Sequence, residues 1–204
     1  MKSPLVPPMA SDIIKNALSS LDGVEFTELA SCQYCGGDVS GHDMKKKQFA
    51  VLDDNGKPRI IHVRVKRFRC RQCGKLCYAA EPFYPGTRIG SPVIDLCITL
   101  SETMPANRAA RVLMAMGVVV DRTSCLLYTK KRWQEIPIAN VFGMHLPFSV
   151  FSLSNLAARN VEGSRIRGTD ALAACGFPSA HRAARDVLAP PKKRDDGNKP
   201  KEGE

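Results

Sequence analysis

Apolar positions along the first half of the chain repeat in two rhythms. Ile13, Ile14, Ala17 and Leu18 recur at helical spacing, which predicts a short helix capped by Ser11 and ended by Gly23. In "KQFAVLDDNGKPRIIHVRVKRF" the period falls to two. Ile61, Val63 and Val65 alternate with His62, Arg64 and Lys66, so one face of that strand is apolar and the other mostly cationic. Asn55-Gly56 between the two runs is a strong hairpin signal, because both central residues of a type I′ turn need positive φ.

After the turn-rich "EPFYPGTRIG" the helical period returns. Ser91-Pro92 predicts a cap followed by a proline at the first helical position, with Val93, Leu96, Cys97 and Leu100 as the buried stripe. A second helix is expected over about Pro105 to Met116, with Ala109, Val112, Leu113 and Met116 facing inward and Gly117 ending it. "VVV" makes a short connection, and Asp121 caps a third helix that reaches about Trp133. Beyond Ile136, "LPFSVFSLSNLAARN" and "TDALAACGFPSAHRAARDVL" are further helix candidates. The end, "APPKKRDDGNKPKEGE", has no aliphatic after Ala189 and is expected to be disordered.

These patterns divide the 204 residues into a lead-in at 1–30, a cysteine-bearing β module at 31–85, a helical unit at 90–135, a helical region at 136–189 and a tail at 190–204. Aromatics at 6% are sparse beside 44% hydrophobic residues, which favours short modules over one large core. The net charge of +10 and pI ≈ 9.4 favour a polyanionic partner, nucleic acid before anionic lipid. No apolar run reaches the ~20 residues that span a bilayer. The N-terminus lacks the apolar core of a secretory signal, so a soluble cytoplasmic protein is expected, with no membrane partner.

Four of the eight cysteines form two Cys-x-x-Cys pairs, Cys32/Cys35 and Cys70/Cys73, each followed by glycine. Two thiolates on one tight turn make half of a tetrahedral site, and the hairpin brings the halves together. A closed four-sulfur site of this kind suits one structural Zn²⁺, whose binding would help fold a module with little core. Cys77 and His62 could be spare ligands that exchange into the metal site, but a third nearby cysteine is more often a small buried hydrophobe and a strand histidine more often polar surface; Cys97 and Cys125 belong to helix cores. Four thiolates around a divalent ion leave a charge of −2, which two cations would offset. From Lys57 to Lys75 there are eight Lys or Arg and no Asp or Glu, so an external anion is the better explanation.

In "MPANRAARVLMAMGVVVDRTSCLLYTKKRW" small residues allow close helix approach, Gly117 makes the turn and polar residues open the last helix. In a helix-turn-helix the first residues of the last helix meet base edges. Arg122, Thr123 and Ser124 fall there and Tyr128 a turn later, while Lys130, Lys131 and Arg132 should lie near phosphates. On the β arm, Arg64, Lys66, Arg67, Arg69 and Arg71 are the expected phosphate contacts. "ALAACGFPSAHRAAR" repeats the helical cadence faintly, as a packing helix pair or a second reader.

The series "RFRCRQCGK", "PGTR", "SPVIDLC", "ANRAARVL" and "GVVVDRTS" resembles the N-terminal half of insertion-sequence transposases, a zinc ribbon followed by a helix-turn-helix, over about residues 30–133. The resemblance implies that Cys32, Cys35, Cys70 and Cys73 bind zinc and that the helix from Asp121 reads DNA at element ends. At Leu126-Leu127-Tyr128 the family pattern has aromatic and basic residues instead. Strand transfer by those enzymes needs three spaced carboxylates on a larger sheet. Past Trp133 only Glu135, Glu162, Asp170 and Asp186 precede the tail, so no enzymatic activity is expected.

The expected fold is therefore α+β: a small zinc-ribbon β module, a helical helix-turn-helix domain and a disordered basic tail. The expected function is zinc-dependent, sequence-selective binding of double-stranded DNA, nucleoid-associated, by a monomer or homodimer. Two alternatives remain. One is an iron redox protein similar to rubredoxins, which the basic arm disfavours and which colour would reveal. The other is a zinc-stabilised adaptor for RNA or acidic protein surfaces.

Overall fold

A long two-stranded hairpin organises the chain, which is described at residues 6–131, 135–141, 143–160 and 165–177 in a computed structural model. The fold is α+β. Helix α1 (Pro8–Ser19) and the short strand β1 (Glu25–Phe26) lead into β2 (Val39–Asp54), β3 (Lys57–Cys70) and β4 (Leu76–Tyr78). Helices α2 (Ser91–Thr103), α3 (Ala106–Ala115) and α4 (Arg122–Thr129) follow. A small antiparallel hairpin comes next, β5 (Ile138–Val141) and β6 (Met144–Pro147), then α5 (Phe148–Arg159) and α6 (Gly168–Ala174). In the main sheet β3 is central, with antiparallel β2 on one side and parallel β1 and antiparallel β4 on the other.

The turn between β2 and β3 has the expected chemistry: φ is +53° at Asn55 and +81° at Gly56. The alternation is also as read, since Ile61, Val63 and Val65 are fully buried while Arg64 is exposed. Two β-bulges, at His42 and Phe49, interrupt β2 where two of its residues oppose one step of β3. The second bulge lets neighbouring Phe49 and Ala50 both enter the core. Sixteen residues make β2 roughly 50 Å long, so its two ends lie in different surroundings.

At the turn end the hairpin is built into the main core. Phe49, Ile61, Val63 and Val65 share one apolar cluster with Leu96 and Leu100 of α2, Leu113 of α3, Cys125 of α4 and Leu153 of α5. Burying each large side chain contributes about 1.5–3 kcal/mol. The α3–α4 connection is stitched directly to the sheet. Val119 N–H donates to Val51 O at 2.8 Å and Asp53 N–H to Gly117 O at 2.8 Å, so Val118 bridges Leu52. Helix α1 packs on α5 and closes the cluster from the other side.

Two caps differ from expectation. Helix α1 begins at Pro8, three residues before Ser11, because proline supplies a helical φ and lacks the N–H that a first turn leaves unbonded. The Ser11 hydroxyl instead donates to Met116 O at 3.0 Å and ties α1 to the end of α3. Gly90, not Ser91, occupies the cap position of α2. Its N–H donates to Phe49 O at 2.8 Å, and a Cβ there would stand 2.1 Å from the Phe49 ring, so this approach of helix to hairpin needs glycine. The inward stripe of α2 is as read, and so is that of α3. Helix α4 ends at Thr129, before Trp133, which lies outside the described residues with Arg132. The β5–β6 hairpin is an addition to the sequence reading. The expected disordered tail and Ser179–Val187 also fall outside the described residues.

Helix α2 buries a carboxylate. Asp95 is 2% exposed and accepts from the Tyr84 hydroxyl at 2.6 Å and from Ser149 Oγ at 3.0 Å. Burial pushes its pKa up to about 6, against the two hydrogen bonds that favour the charged form. A raised carboxyl pKa means that the folded state holds the proton more tightly than the unfolded one. Stability from this group is therefore complete below the ordinary value of 3.8 and is lost as pH rises through about 6. Replacing Asp95 by Asn keeps an acceptor for Tyr84 and removes the charge. The expected result is a variant more stable than the parent at pH 7.5, by about 1–3 kcal/mol in urea denaturation, with a flatter profile between pH 4 and 7.

Candidate metal centre and its cationic surround

Two turns with matching hydrogen-bond patterns form the end of the hairpin remote from Asn55-Gly56. In the first, Cys32 N–H donates to Gly37 O and Gly36 N–H returns to Cys32 O; in the second, Cys70 N–H donates to Lys75 O and Gly74 N–H to Cys70 O. Gly36 and Gly74 have φ of +72° and +70°, a left-handed turn that aims backbone N–H groups at sulfur. Tyr34 N–H lies 3.4 Å from Cys32 Sγ, and the Gln72 and Cys73 N–H groups lie 3.4 Å from Cys70 Sγ.

The sulfurs of Cys32, Cys35, Cys70 and Cys73 all lie within 4.8 Å of one another. Across the cluster, Cys32 is 3.6 Å from Cys73 and Cys35 is 3.5 Å from Cys70. A tetrahedron with metal–sulfur bonds of about 2.3 Å has edges of about 3.8 Å, so the four residues fit one metal ion with no open ligand position. Burial opposes charge on Cys32, but the N–H groups of Tyr34 and Cys35 outweigh it and bring the thiol down to about 6. The N–H groups of Cys73 and Gln72 likewise lower Cys70 despite burial. Each turn thus pairs one buried cysteine whose thiol is shifted toward ionisation, Cys32 or Cys70, with one exposed cysteine, Cys35 or Cys73.

Cys77 is buried beside this cluster, as its reading as a small hydrophobe requires, but its Sγ also lies 3.6 Å from Cys32 Sγ. His62 pairs with Gln48 eight residues up the strand from Cys70, roughly 25 Å away, and is no part of the centre.

The register divides the cationic residues of the arm between two faces, since directly paired residues of neighbouring strands point to the same side. Arg64 pairs with Lys46 and Lys66 with Met44 on the outer face. Arg67, paired with Asp43 and with Tyr78 of β4, stands on the other face with Arg69. Arg67 makes a two-pronged contact with the Asp43 carboxylate that raises its own pKa and lowers that of Asp43. Arg69 Nε donates to Gly74 O, and Arg71 sits in the second turn, its N–H bound to Asp38 O. Lys47 is held by Glu81 at 2.7 Å and lies over the rings of Phe83 and Tyr78.

On the outer face Arg64 pairs with Glu25 at 2.5 Å. Lys46 and Lys66 make no ion pair among the described residues. Arg64 also lines a cleft of about 940 Å³ with Asp22, Glu25, Glu28, Arg165 and Arg167, the last two without an ion pair among the described residues. Lys46, Arg165 and Arg167 are additions to the sequence reading. The run Lys45-Lys46-Lys47 was the available signal for the first, whereas the two arginines reach the arm only through the return of α5 and α6.

At α4, Asp121 accepts from Ser124 N–H at 2.9 Å and from Ser124 Oγ at 2.6 Å, the cap expected from sequence. This engages Ser124 within the helix and leaves Arg122 and Thr123 as the exposed residues of its first turn. Tyr128 packs on the core, and burial raises its hydroxyl pKa. Leu126 and Leu127 are 41% and 54% exposed, and Lys130 and Lys131 follow at the surface. The α3–α4 connection touches β2 at Val51–Asp53, and the sulfurs lie beyond Val39, so α4 and the metal centre are roughly 40 Å apart along the hairpin.

No protein-family profile matches this chain, and no curated protein or solved structure matches it. Among the described residues no helix is long and apolar enough to cross a membrane.

The geometry sets an expectation for metal content. Cys32→Ser and Cys70→Ser should each weaken metal binding at least tenfold in competition with a chelator, while Cys97→Ser keeps the parent's affinity. Acidification should release the ion from the parent protein, because each ligand must give up its proton to bind.

Proposed function

We propose that the chain is a zinc-dependent, non-enzymatic protein that binds double-stranded DNA, built from the zinc-ribbon and helix-turn-helix parts that its sequence resembles in insertion-sequence transposases. The observation that carries the reading is the outer face of the arm. Lys46, Lys66, Arg165 and Arg167 lack carboxylate partners among the described residues, whereas Arg59, Arg64, Arg67 and Lys47 each have one. Lys46 and Lys66 flank Arg64 on one face of the hairpin, and Arg165 and Arg167 line a cleft with Arg64 that Asp22, Glu25 and Glu28 share, an arrangement that offers cations to a phosphate backbone. Zinc is the favoured ion because four thiolates on two glycine-terminated turns leave no position for substrate.

Arg122 and Thr123 at the start of α4 are the candidates for base contact, and Lys130 and Lys131 for phosphate. Arg67 and Arg69, on the opposite face, then serve the arm itself. A second reading, single-stranded RNA, draws on Tyr34, which is 60% exposed at the metal end with Lys75 4.6 Å from its ring, a pairing suited to base stacking.

The test is fluorescence anisotropy with random-sequence duplex DNA over a salt series, beside single-stranded RNA. Four phosphate contacts give a slope of about −3 to −4 in log K against log salt, and Lys46→Ala/Lys66→Ala should flatten it by about 2. Arg122→Ala should instead relax preference among sequences, at about 1–3 kcal/mol for a specific site. Equal, weak binding by parent and variants contradicts the reading, and tighter binding to RNA that is lost in Tyr34→Ala favours the second.

A further inference from the structure

We propose that Cys77 is a reserve ligand of the metal centre, placed to take over the position of Cys73. The inference rests on the four cysteines holding a metal ion and not on what the protein binds. Strand β4 pairs with β3 so that Cys77 stands opposite Phe68, two residues before Cys70, and this register brings its side chain against the buried side of the sulfur cluster. Cys77 Sγ is 3.6 Å from Cys32 Sγ, the same separation as Cys32 from Cys73. A spacing of about 3.8 Å is that of two sulfurs on one tetrahedral ion, in which each sulfur has three such neighbours; beside Cys35, Cys70 and Cys73, Cys77 gives Cys32 a fourth sulfur at that spacing.

The two neighbours differ in access. Cys73 is exposed, whereas Cys77 is 1% exposed and belongs to a small cluster with Cys32, Cys70, Leu29 and Val39. The remaining cysteines, Cys97, Cys125 and Cys175, belong to the main helical core. With all four ligands in place, Cys77 donates its S–H to Cys32 Sγ, as such a contact steadies a ligating sulfur from outside the metal's own shell. Exchange requires a short movement and no redox partner. The metal–sulfur bond to Cys73 breaks and that thiolate takes up a proton; the Cys77 thiol releases one and its sulfur binds the metal. Ligand number, net charge and protons are unchanged. An exposed ligand can thus be lost to alkylation or oxidation while the ion stays bound from the protected side.

The test uses the full chain loaded with Co²⁺, whose visible bands report tetrahedral geometry and whose near-ultraviolet charge-transfer intensity scales with the number of bound thiolates. The parent and Cys77→Ala should both give the spectrum of four sulfurs. Cys73→Ala should retain that intensity, whereas Cys73→Ala/Cys77→Ala should fall to about three quarters of it and bind Co²⁺ at least tenfold more weakly, a loss of one of four ligands. Identical spectra and affinities for the single and double variants overturn the proposal. Cys73→Ser and Cys73→Ser/Cys77→Ala repeat the comparison with the turn's volume kept, in case the alanine variant fails to fold by circular dichroism. A parent that takes up no Co²⁺ overturns the metal centre itself and the proposal with it.

Discussion

Four sulfur atoms stand where a hydrophobic core would otherwise be. At its turn end the long hairpin rests on a continuous apolar cluster drawn from α1 to α6. At the other end the buried cluster consists of Cys32, Cys70 and Cys77 with Leu29 and Val39 beside them. Backbone turns alone do not hold two glycine-rich loops together, and five small side chains bury too little area to compensate the ordering entropy of about 1–2 kcal/mol per residue. A metal held by Cys32, Cys35, Cys70 and Cys73 would supply the missing cross-link, and this end of the molecule would then depend on coordination and the other on packing.

The division explains where the charge sits. Cations along the arm share a sheet with few acids, and four carboxylates on or beside it are paired: Glu25 with Arg64, Asp43 with Arg67, Glu81 with Lys47 and Asp22 with Arg59, while Asp53 and Asp54 make no ion pair among the described residues. Exposed pairs of this kind are worth little in stability, but they decide which side chains remain available to an outside anion. Pleating then sorts the remainder. On the outer face Lys46 and Lys66 have no carboxylate partner among the described residues, Lys66 lying over the Phe68 ring, while the inner face turns its cations toward Tyr78, Phe83 and backbone oxygens; Arg165 and Arg167 of the C-terminal return line a cleft with Arg64.

Much of this was legible in the sequence because it depends on local chemistry. Asn55-Gly56 demanded its turn, Ile61, Val63 and Val65 declared their face, and the spacing of the two cysteine pairs placed four sulfurs together. The inward residues of α2 and α3 followed from period alone. Contacts between distant segments were hidden. Ser11 and Ser91 read as caps, yet proline geometry and the approach of Gly90 to Phe49 moved both helix starts. The cationic run from Arg64 to Arg71 read as one surface, yet strict alternation puts Arg64 and Lys66 on one side and Arg67 and Arg69 on the other. That Val118 would join the edge of β2, or that Arg167 would line one cleft with Arg64, has no signature shorter than the whole chain.

The most direct test of this two-ended construction is amide hydrogen exchange of the metal-loaded protein, before and after removal of the ion by a chelator. The account expects protection to fall by at least tenfold at residues 39–41 and 68–77 around the sulfur cluster. Amides at 50–53 and 60–63, seated on the helical core, should keep theirs. Loss of protection throughout the hairpin, or none at the sulfur end, would contradict the claim that coordination holds one end and packing the other.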